Sequence, residues 1–194
     1  MRKRLSRWGL RLLLLLLTLI LLVAALAGYI RPERSLDMGY AEINWKDKLV
    51  GMIDSRKPEI KISEEEFNHL AKKQVSKAIR SNELPVEITG MRFELRGDLL
   101  TVYLNGAWGP VPFGAAVQYG MEYSAGRLVL TPEAVKVRKW SLSPQLLRLE
   151  RVEIDPSPYV PDPVAVQDMV FHDREMTVKF KLDWLEIAKY LSSF

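Results

Sequence analysis

The sequence predicts an α+β protein in which an N-terminal transmembrane helix is followed by a long curved antiparallel sheet packed on an amphipathic helix. Residues 12–30 carry no charge, residues 63–80 repeat apolar side chains at helical spacing, and much of the chain beyond residue 85 alternates with a period of two. We expect four segments. These are a cytoplasmic basic segment (1–11), a transmembrane signal-anchor (12–30), a stalk (31–58) and an extracytoplasmic α+β domain (59–194).

The charges separate the N-terminus from the rest of the chain. Of 28 lysines and arginines, five precede Leu12, which leaves 23 basic against 24 acidic residues in the remainder. A nucleic-acid-binding domain needs a basic face, so this near-neutral remainder predicts no nucleic-acid partner. The chain has no cysteine, which excludes disulfides, thiolate metal sites and a lipid-modified N-terminal cysteine.

Residues 12–30 are the first predicted element, an apolar helix that crosses a membrane. Its 19 residues cover about 28 Å, which approaches the thickness of the hydrocarbon core. The basic cluster before it predicts a cytoplasmic N-terminus and an extracytoplasmic domain in a single-pass cell-membrane protein. A signal peptide cleaved after Ala27 is the alternative, because Ala25 and Ala27 form a small-x-small pattern before Gly28. Both interpretations export the domain.

The strongest local signal is a capping box that follows the stalk, which itself contains a short helix near residues 45–53. Ser63 and Glu66 occupy the N-cap and N3 positions, so a helix is predicted from Ser63 to about Asn82. Its apolar side chains share one face, namely Phe67, Leu70, Ala71, Val75, Ala78 and Ile79.

Beyond Pro85 the period of two predicts a succession of strands. A hairpin turns at residues 96–98, and one long strand runs from Val111 to Ser124 and curls at its glycines. Further strands are expected at 127–130, 134–140, 164–171 and 176–182. A short helix is expected at 144–150, and a last helix from Asp183 through Leu191.

The long strand has one continuous apolar face, which is the candidate site. Its 14 residues reach about 46 Å, whereas the helix that begins at Ser63 covers about 27 Å and leaves part of the face uncovered. We expect this face to contact a lipid or another apolar ligand, and an ordinary closed core is the alternative. The contact residues are Val111, Phe113, Ala115, Val117, Tyr119, Met121 and Tyr123.

No residue pattern predicts catalysis, a cofactor or a metal. The two histidines, His69 and His172, have no second histidine or carboxylate at a metal-binding spacing. The sequence contains no phosphate loop, dinucleotide fingerprint or nucleophile elbow. We therefore expect a protein that is no enzyme and needs no cofactor.

A family resemblance rests on the overall layout and two short segments. The chain has a basic start, one apolar helix, the segment Ile62-Ser63-Glu64-Glu65-Glu66-Phe67-Asn68, a β-rich body and the ending Phe180-Lys181-Leu182-Asp183-Trp184. In these features it resembles the YpmS-like membrane-associated proteins of Bacillus and its relatives, over most of residues 8–190. The resemblance implies a small membrane-associated protein of unassigned function, with no catalytic residues to transfer. The expected sheet around a helix is also similar to tubular lipid-binding proteins in architecture.

These features predict a membrane-anchored extracytoplasmic module of the bacterial cell envelope. We expect it to bind lipid or another apolar envelope component. The alternative is a structural or protein-interaction module with a closed core. Its expected partners are the membrane and either a lipid or an envelope protein.

Overall fold

The computed structural model describes residues 7–80, 87–160 and 164–182. The expected end of the Ser63 helix near Asn82 and the expected helix 183–191 lie outside these residues. Three α-helices, α1 to α3, and nine strands, β1 to β9, follow along the described chain, with two short 3-10 helices at Pro144–Leu147 and Ser157–Tyr159, the first of which lies within the helix expected at 144–150. They are α1 Arg7–Tyr29, α2 Trp45–Ser55, β1 Glu59–Ser63, α3 Glu64–Arg80, β2 Glu87–Arg96, β3 Leu99–Trp108, β4 Val111–Ser124, β5 Arg127–Val137, β6 Trp140–Leu142, β7 Val152–Ile154, β8 Val164–His172 and β9 Glu175–Leu182.

The predicted fold class is confirmed in its coarse form. The protein is α+β, with an N-terminal apolar helix and an antiparallel sheet of six strands. Among the described residues, α1 is the one helix long and apolar enough to cross a membrane, and none of its window Leu12–Tyr29 is buried. Within the described residues, α1 therefore meets the rest of the protein only at its last turn.

The six-stranded sheet has the order β2-β3-β4-β5-β6, and β7 pairs with the first half of β5. Strand β4 has the predicted bounds. The two strands expected at 127–130 and 134–140 are wrong as separate elements, because Arg127–Val137 form the single strand β5. Gln118 pairs with Ala134 while Tyr119 pairs with Pro132, so Glu133 is an extra residue. This β-bulge interrupts the alternation that the sequence shows.

A second sheet has the order β1-β9-β8 and packs with α2. Leu49 and Met52 of α2 are at most 2% exposed and lie in one hydrophobic cluster with Ile60 and Phe180. This differs from the expected stalk at 31–58. Burial of two large apolar side chains makes α2 part of the folded domain.

The capping box at the start of α3 is present in the structure. The Ser63 backbone amide donates to the Glu66 carboxylate at 2.9 Å, and the Glu66 amide donates to the Ser63 hydroxyl at 3.3 Å. From this start, α3 brings the Phe67 ring edge-to-face with the Phe93 ring of β2, with centroids 5.8 Å apart. Met169 of β8 packs against the hydrophobic clusters of both sheets, which joins them.

Candidate functional site

The second half of the apolar face of β4 lies in the hydrophobic core. Val117 and Met121 are buried, and Tyr119 packs against the cluster that contains Met121. Burial raises the pKa of Tyr119. The hydroxyl of Tyr123 donates a 3.3 Å hydrogen bond to the carbonyl oxygen of Val166 in β8. These four side chains therefore contact the protein itself.

The first half of the same face is more open. Val111, Phe113 and Ala115 are half-buried, and β5 pairs with β4 only from Ala116 onward. Phe113 lies across Gly106 of β3, where an added Cβ would come within 2.6 Å of the Phe113 ring. The structure thus divides the seven predicted residues into a core half and an accessible half.

Aromatic side chains collect at the end of the sheet where α1 joins it. Trp108 at the end of β3 is 79% exposed, and Trp140 at the start of β6 is 52% exposed. The ring centroids of Tyr29 and Trp140 lie 4.8 Å apart, and the Arg138 guanidinium lies 5.2 Å from the Tyr29 ring centroid. The end of α1 is therefore in contact with this end of the sheet.

The segment after α1, residues 30–37, crosses three strands and is called the strap here. The Ile30 amide donates to the carbonyl of Leu26 at 3.0 Å, and the Ile30 carbonyl accepts from the Gly114 amide at 2.8 Å. Farther along, the Asn105 side-chain amide donates to the Arg34 carbonyl at 2.7 Å. The backbone amide of Met91 donates to the carbonyl of Asp37 at 3.1 Å. The strap is therefore bonded in turn to β4, β3 and β2.

A row of three register partners lets the strap lie close to the sheet. Gly90, Asn105 and Gly114 face each other across β2, β3 and β4 and so share one face. A Cβ added at Gly90 would overlap the carbonyl oxygen of Leu36, and one added at Gly114 would lie 2.8 Å from Cα of Pro32. Glycine is required at both positions because the backbone of the strap approaches there.

The far end of the strap is fixed to α3 by an ion pair. The Lys72 ammonium donates to the Asp37 carboxylate at 3.1 Å, and the Gly39 amide donates to the same carboxylate at 2.7 Å. The hydrogen bond from Lys72 and then that from Gly39 lower the pKa of Asp37. The Lys72 side chain is only 10% exposed, so the ion pair holds a largely buried cation.

A cavity of about 190 Å³ lies between the strap and the sheet, and its charged lining is mostly basic. Five lining residues are cationic and one, Glu33, is acidic; the cations are Arg31, Arg34, Arg92, Lys136 and Arg138. We call this the basic cavity. Glu33 lies 3.9 Å from Arg138, and Arg92 lies 3.7 Å from Glu64 outside the cavity. Within the described chain, no carboxylate lies within 4.0 Å of the cationic groups of Arg31, Arg34 or Lys136.

The neutral polar lining of the basic cavity comes from β3. The Tyr103 hydroxyl donates to the Glu94 carboxylate at 2.9 Å. Burial, followed by this hydrogen bond, raises the pKa of Tyr103, so the phenol stays neutral at physiological pH. Asn105 is buried and holds Arg34 through its backbone. The cavity therefore has a strap backbone held by the sheet and the electrostatics of an anion site.

The two histidines lie on separate elements, α3 and β8, and His69 Nε2 lies 3.9 Å from the Glu65 carboxylate. His69 Nδ1 accepts from the Ala41 amide at 3.1 Å, which uses one ring nitrogen structurally, and His172 pairs with Glu175 at the β8-β9 turn. Across residues 7–80, 87–160 and 164–182, no group of three or more histidine, aspartate and glutamate side chains could hold a metal ion. A second cavity, of about 380 Å³, has both signs of charge, with Glu64 and Glu65 beside Lys72 and Arg174.

Comparisons of this chain with protein-family models, curated proteins and solved structures find no match. The basic cavity has no signature in the sequence, because its cations come from positions as far apart as Arg31 and Arg138.

Proposed function

We propose that this chain is a single-pass membrane protein whose extracytoplasmic domain is a non-enzymatic module that binds lipid at the outer membrane surface of the cell envelope. The observation that carries this proposal is the 2.8 Å hydrogen bond from the Gly114 amide to the Ile30 carbonyl. Ile30 directly follows Tyr29, the last residue of α1. If α1 spans the membrane, this end of the sheet lies at the lipid headgroups.

The exposure of α1 supports its insertion. Leu12 to Leu17 are 53–72% exposed, so the described part of the chain leaves them largely uncovered. Each Å² of apolar leucine surface is less favourable in water than in an apolar environment by roughly 25 cal/mol of transfer free energy. A lipid environment therefore stabilises this helix. Five basic residues precede Leu12, which favours a cytoplasmic N-terminus. Cleavage after Ala27 would retain Tyr29 and Ile30 and would release the domain from the membrane.

The aromatic end of the sheet supports contact with the membrane surface. Tyr29, Trp108 and Trp140 are the residue types that favour the headgroup region, and Trp108 and Trp140 are exposed. The accessible half of the β4 face, Val111 to Ala115, begins beside this end. We assign apolar lipid contact to this half. Val117, Tyr119, Met121 and Tyr123 then belong to the core of the same domain.

The proposal includes a finer arrangement of the fold. Helix α3 covers the remainder of the curved sheet with its amphipathic face. Phe67, Ala71 and Val75 pack against the cluster that contains Phe93 and Leu100, which supports this arrangement. Helix α3 and strand β8 then leave apolar side chains uncovered only at the membrane end of the sheet. These side chains face lipid.

Depth-dependent quenching of single tryptophans tests the proposal. In the full-length protein, Trp8, Trp45, Trp140 and Trp184 are replaced by Phe, and the protein is placed in nanodiscs with brominated lipids. We expect strong quenching of Trp108. In the control protein, all native tryptophans are replaced and Asp98→Trp introduces a single tryptophan at the other end of β3. This residue lies about 30 Å from position 108, so its fluorescence should remain unquenched. Equal quenching at both ends would contradict the proposed orientation.

A structural or protein-interaction module of the envelope is the second candidate. The burial of Val117 and Met121 favours it, because half of the apolar face is already an ordinary core. Native mass spectrometry of the full-length protein, extracted gently from its own membrane, separates the two functions. Retained lipid supports the first, and a lipid-free protein with a stoichiometric protein partner supports the second.

A further inference from the structure

The basic cavity lies at the level of the sheet where α1 ends. Gly114, which bonds to Ile30, is one of its lining residues, and Arg138 lies both in its wall and over the Tyr29 ring. In the membrane-anchored protein this cavity therefore opens close to the lipid headgroups. This step rests on the proposed function.

The positive charge of the cavity is local. Residues 12–194 carry 23 basic and 24 acidic side chains, whereas the cavity collects five basic side chains and one acidic. Glu33 is engaged by Arg138 at 3.9 Å. Arg31, Arg34 and Lys136 have no carboxylate within 4.0 Å among the described residues. A site that concentrates cations in a neutral domain attracts an anion.

The shape of the cavity is fixed on two sides. The strap forms one wall, held by Asn105 and by the close approach at Gly114. Strands β2, β3, β4 and β5 form the other wall, which carries Arg92, Tyr103 and Lys136. Guanidinium groups bind phosphate oxygens with paired hydrogen bonds, and they are the commonest cations in this cavity.

We infer that the basic cavity binds the phosphate of an anionic phospholipid headgroup. Arg34 on the strap and Lys136 on β5 contact the phosphate from opposite walls. The acyl chains remain in the outer leaflet beside the aromatic end of the sheet. A free phosphate has the same chemistry, so the experiment must distinguish a lipid source from a soluble one.

The experiment uses the full-length protein in nanodiscs made from equal parts phosphatidylcholine and phosphatidylglycerol. Native mass spectrometry after release into mild detergent counts the two lipids that remain bound. We expect the unmodified protein to retain phosphatidylglycerol preferentially. The double variant Arg34→Gln/Lys136→Gln should lose this preference by roughly tenfold, because each basic group near the membrane surface adds attraction for an anionic lipid.

Two control variants separate the cavity from net charge and from folding. Arg127→Gln/Arg151→Gln removes the same charge at the end of β5 far from the cavity and should keep the preference. Arg34→Lys/Lys136→Arg keeps both positive charges in the cavity and should keep most of the preference for phosphatidylglycerol. Arg34 and Lys136 are exposed, so the cavity variants should fold, which circular dichroism checks.

Retention of the preference by the cavity variant, or equal loss in the distant control, would overturn the inference. Inorganic phosphate that displaces phosphatidylglycerol when it is present at no more than the concentration of that lipid would overturn the lipid source and assign the site to soluble phosphate. The Trp108 quenching measured in the same discs identifies which proposal fails. Quenched Trp108 without lipid preference overturns only the headgroup site, whereas unquenched Trp108 overturns the membrane-surface function and this inference together.

Discussion

The side chain of Asn68 in α3 satisfies both backbone groups of Phe93 at the open edge of β2. Its Nδ2 donates to the Phe93 carbonyl at 2.6 Å, and its Oδ1 accepts from the Phe93 amide at 2.8 Å. The Glu64 carboxylate accepts from the Leu95 amide at 3.0 Å on the same edge. Helix α3 thus replaces a neighbouring strand, which protects an edge that would otherwise pair with other chains.

Replacing Asn68 should destabilise the domain. We expect Asn68→Ala to lower the free energy of unfolding by about 2 kcal/mol, because the two hydrogen bonds to Phe93 and a third to the Glu64 carbonyl are lost and the edge is opened. Asn68→Asp should cost at least as much, since a carboxylate would face the Phe93 carbonyl. Lys77→Ala at an exposed position of α3 is the control and should change stability by less than about 0.5 kcal/mol. Thermal unfolding of the detergent-solubilised protein followed by near-ultraviolet circular dichroism measures all three.

Adding a methyl group at Gly90 should displace the strap. Gly90→Ala places Cβ on the Leu36 carbonyl oxygen, so we expect a loss of about 1–3 kcal/mol and faster amide hydrogen exchange over residues 31–37. Gly51→Ala is the matched control, because an added Cβ there meets nothing within 4 Å inside α2. It should raise stability by about 0.5–1 kcal/mol. Unchanged exchange in Gly90→Ala would show that the strap does not depend on this close approach.

Acid should weaken the attachment of the strap to α3. The hydrogen bond from Lys72 holds the pKa of Asp37 below its usual value of 3.8. A lowered folded-state pKa gives a stabilising contribution that is present above the unfolded pKa and is lost as the pH falls through the folded pKa. Unfolding midpoints measured from pH 7 downward should fall less steeply below pH 4 in Asp37→Asn, which should be less stable at pH 7. Parallel pH curves for the two proteins would exclude this contribution.

The absence of native cysteine makes the topology directly testable. We expect Asp98→Cys, at an exposed turn of the domain, to react with a membrane-impermeant maleimide in intact cells. Lys3→Cys should react only after the membrane is opened, because the basic N-terminus favours the cytoplasm. The reverse labelling pattern would place the domain in the cytoplasm.

Elements with local signals were predictable from the sequence. Ser63 and Glu66 identify the start of α3 because a capping box involves only residues within one turn. Strand β4 has its predicted bounds because alternation runs unbroken from Val111 to Ser124. The sequence places α2 in a stalk, because the burial of Leu49 depends on contacts with β1 and β9, and β9 is distant in sequence.

The candidate site was predictable only in part. The apolar face of β4 was visible, but its division at Ala115 depends on where β5 and β8 pair and pack. The basic cavity was not visible, because Arg31 and Lys136 meet only after the strap crosses the sheet. Glycines such as Gly90 indicate a turn or a bulge in one strand, and only the register across β2, β3 and β4 aligns them.

Ile30 is bonded both to the last turn of α1 and to the sheet. Its amide closes the last turn of α1 on Leu26, and its carbonyl is bonded to Gly114 in the sheet, so no freely rotating joint separates the helix from the domain. A rotation of α1 about its own axis would therefore turn the domain through a similar angle. If two copies paired through α1 in the bilayer, their domains would have a fixed rotational orientation relative to each other. A torque on one helix would then change which surface of its domain faces the partner.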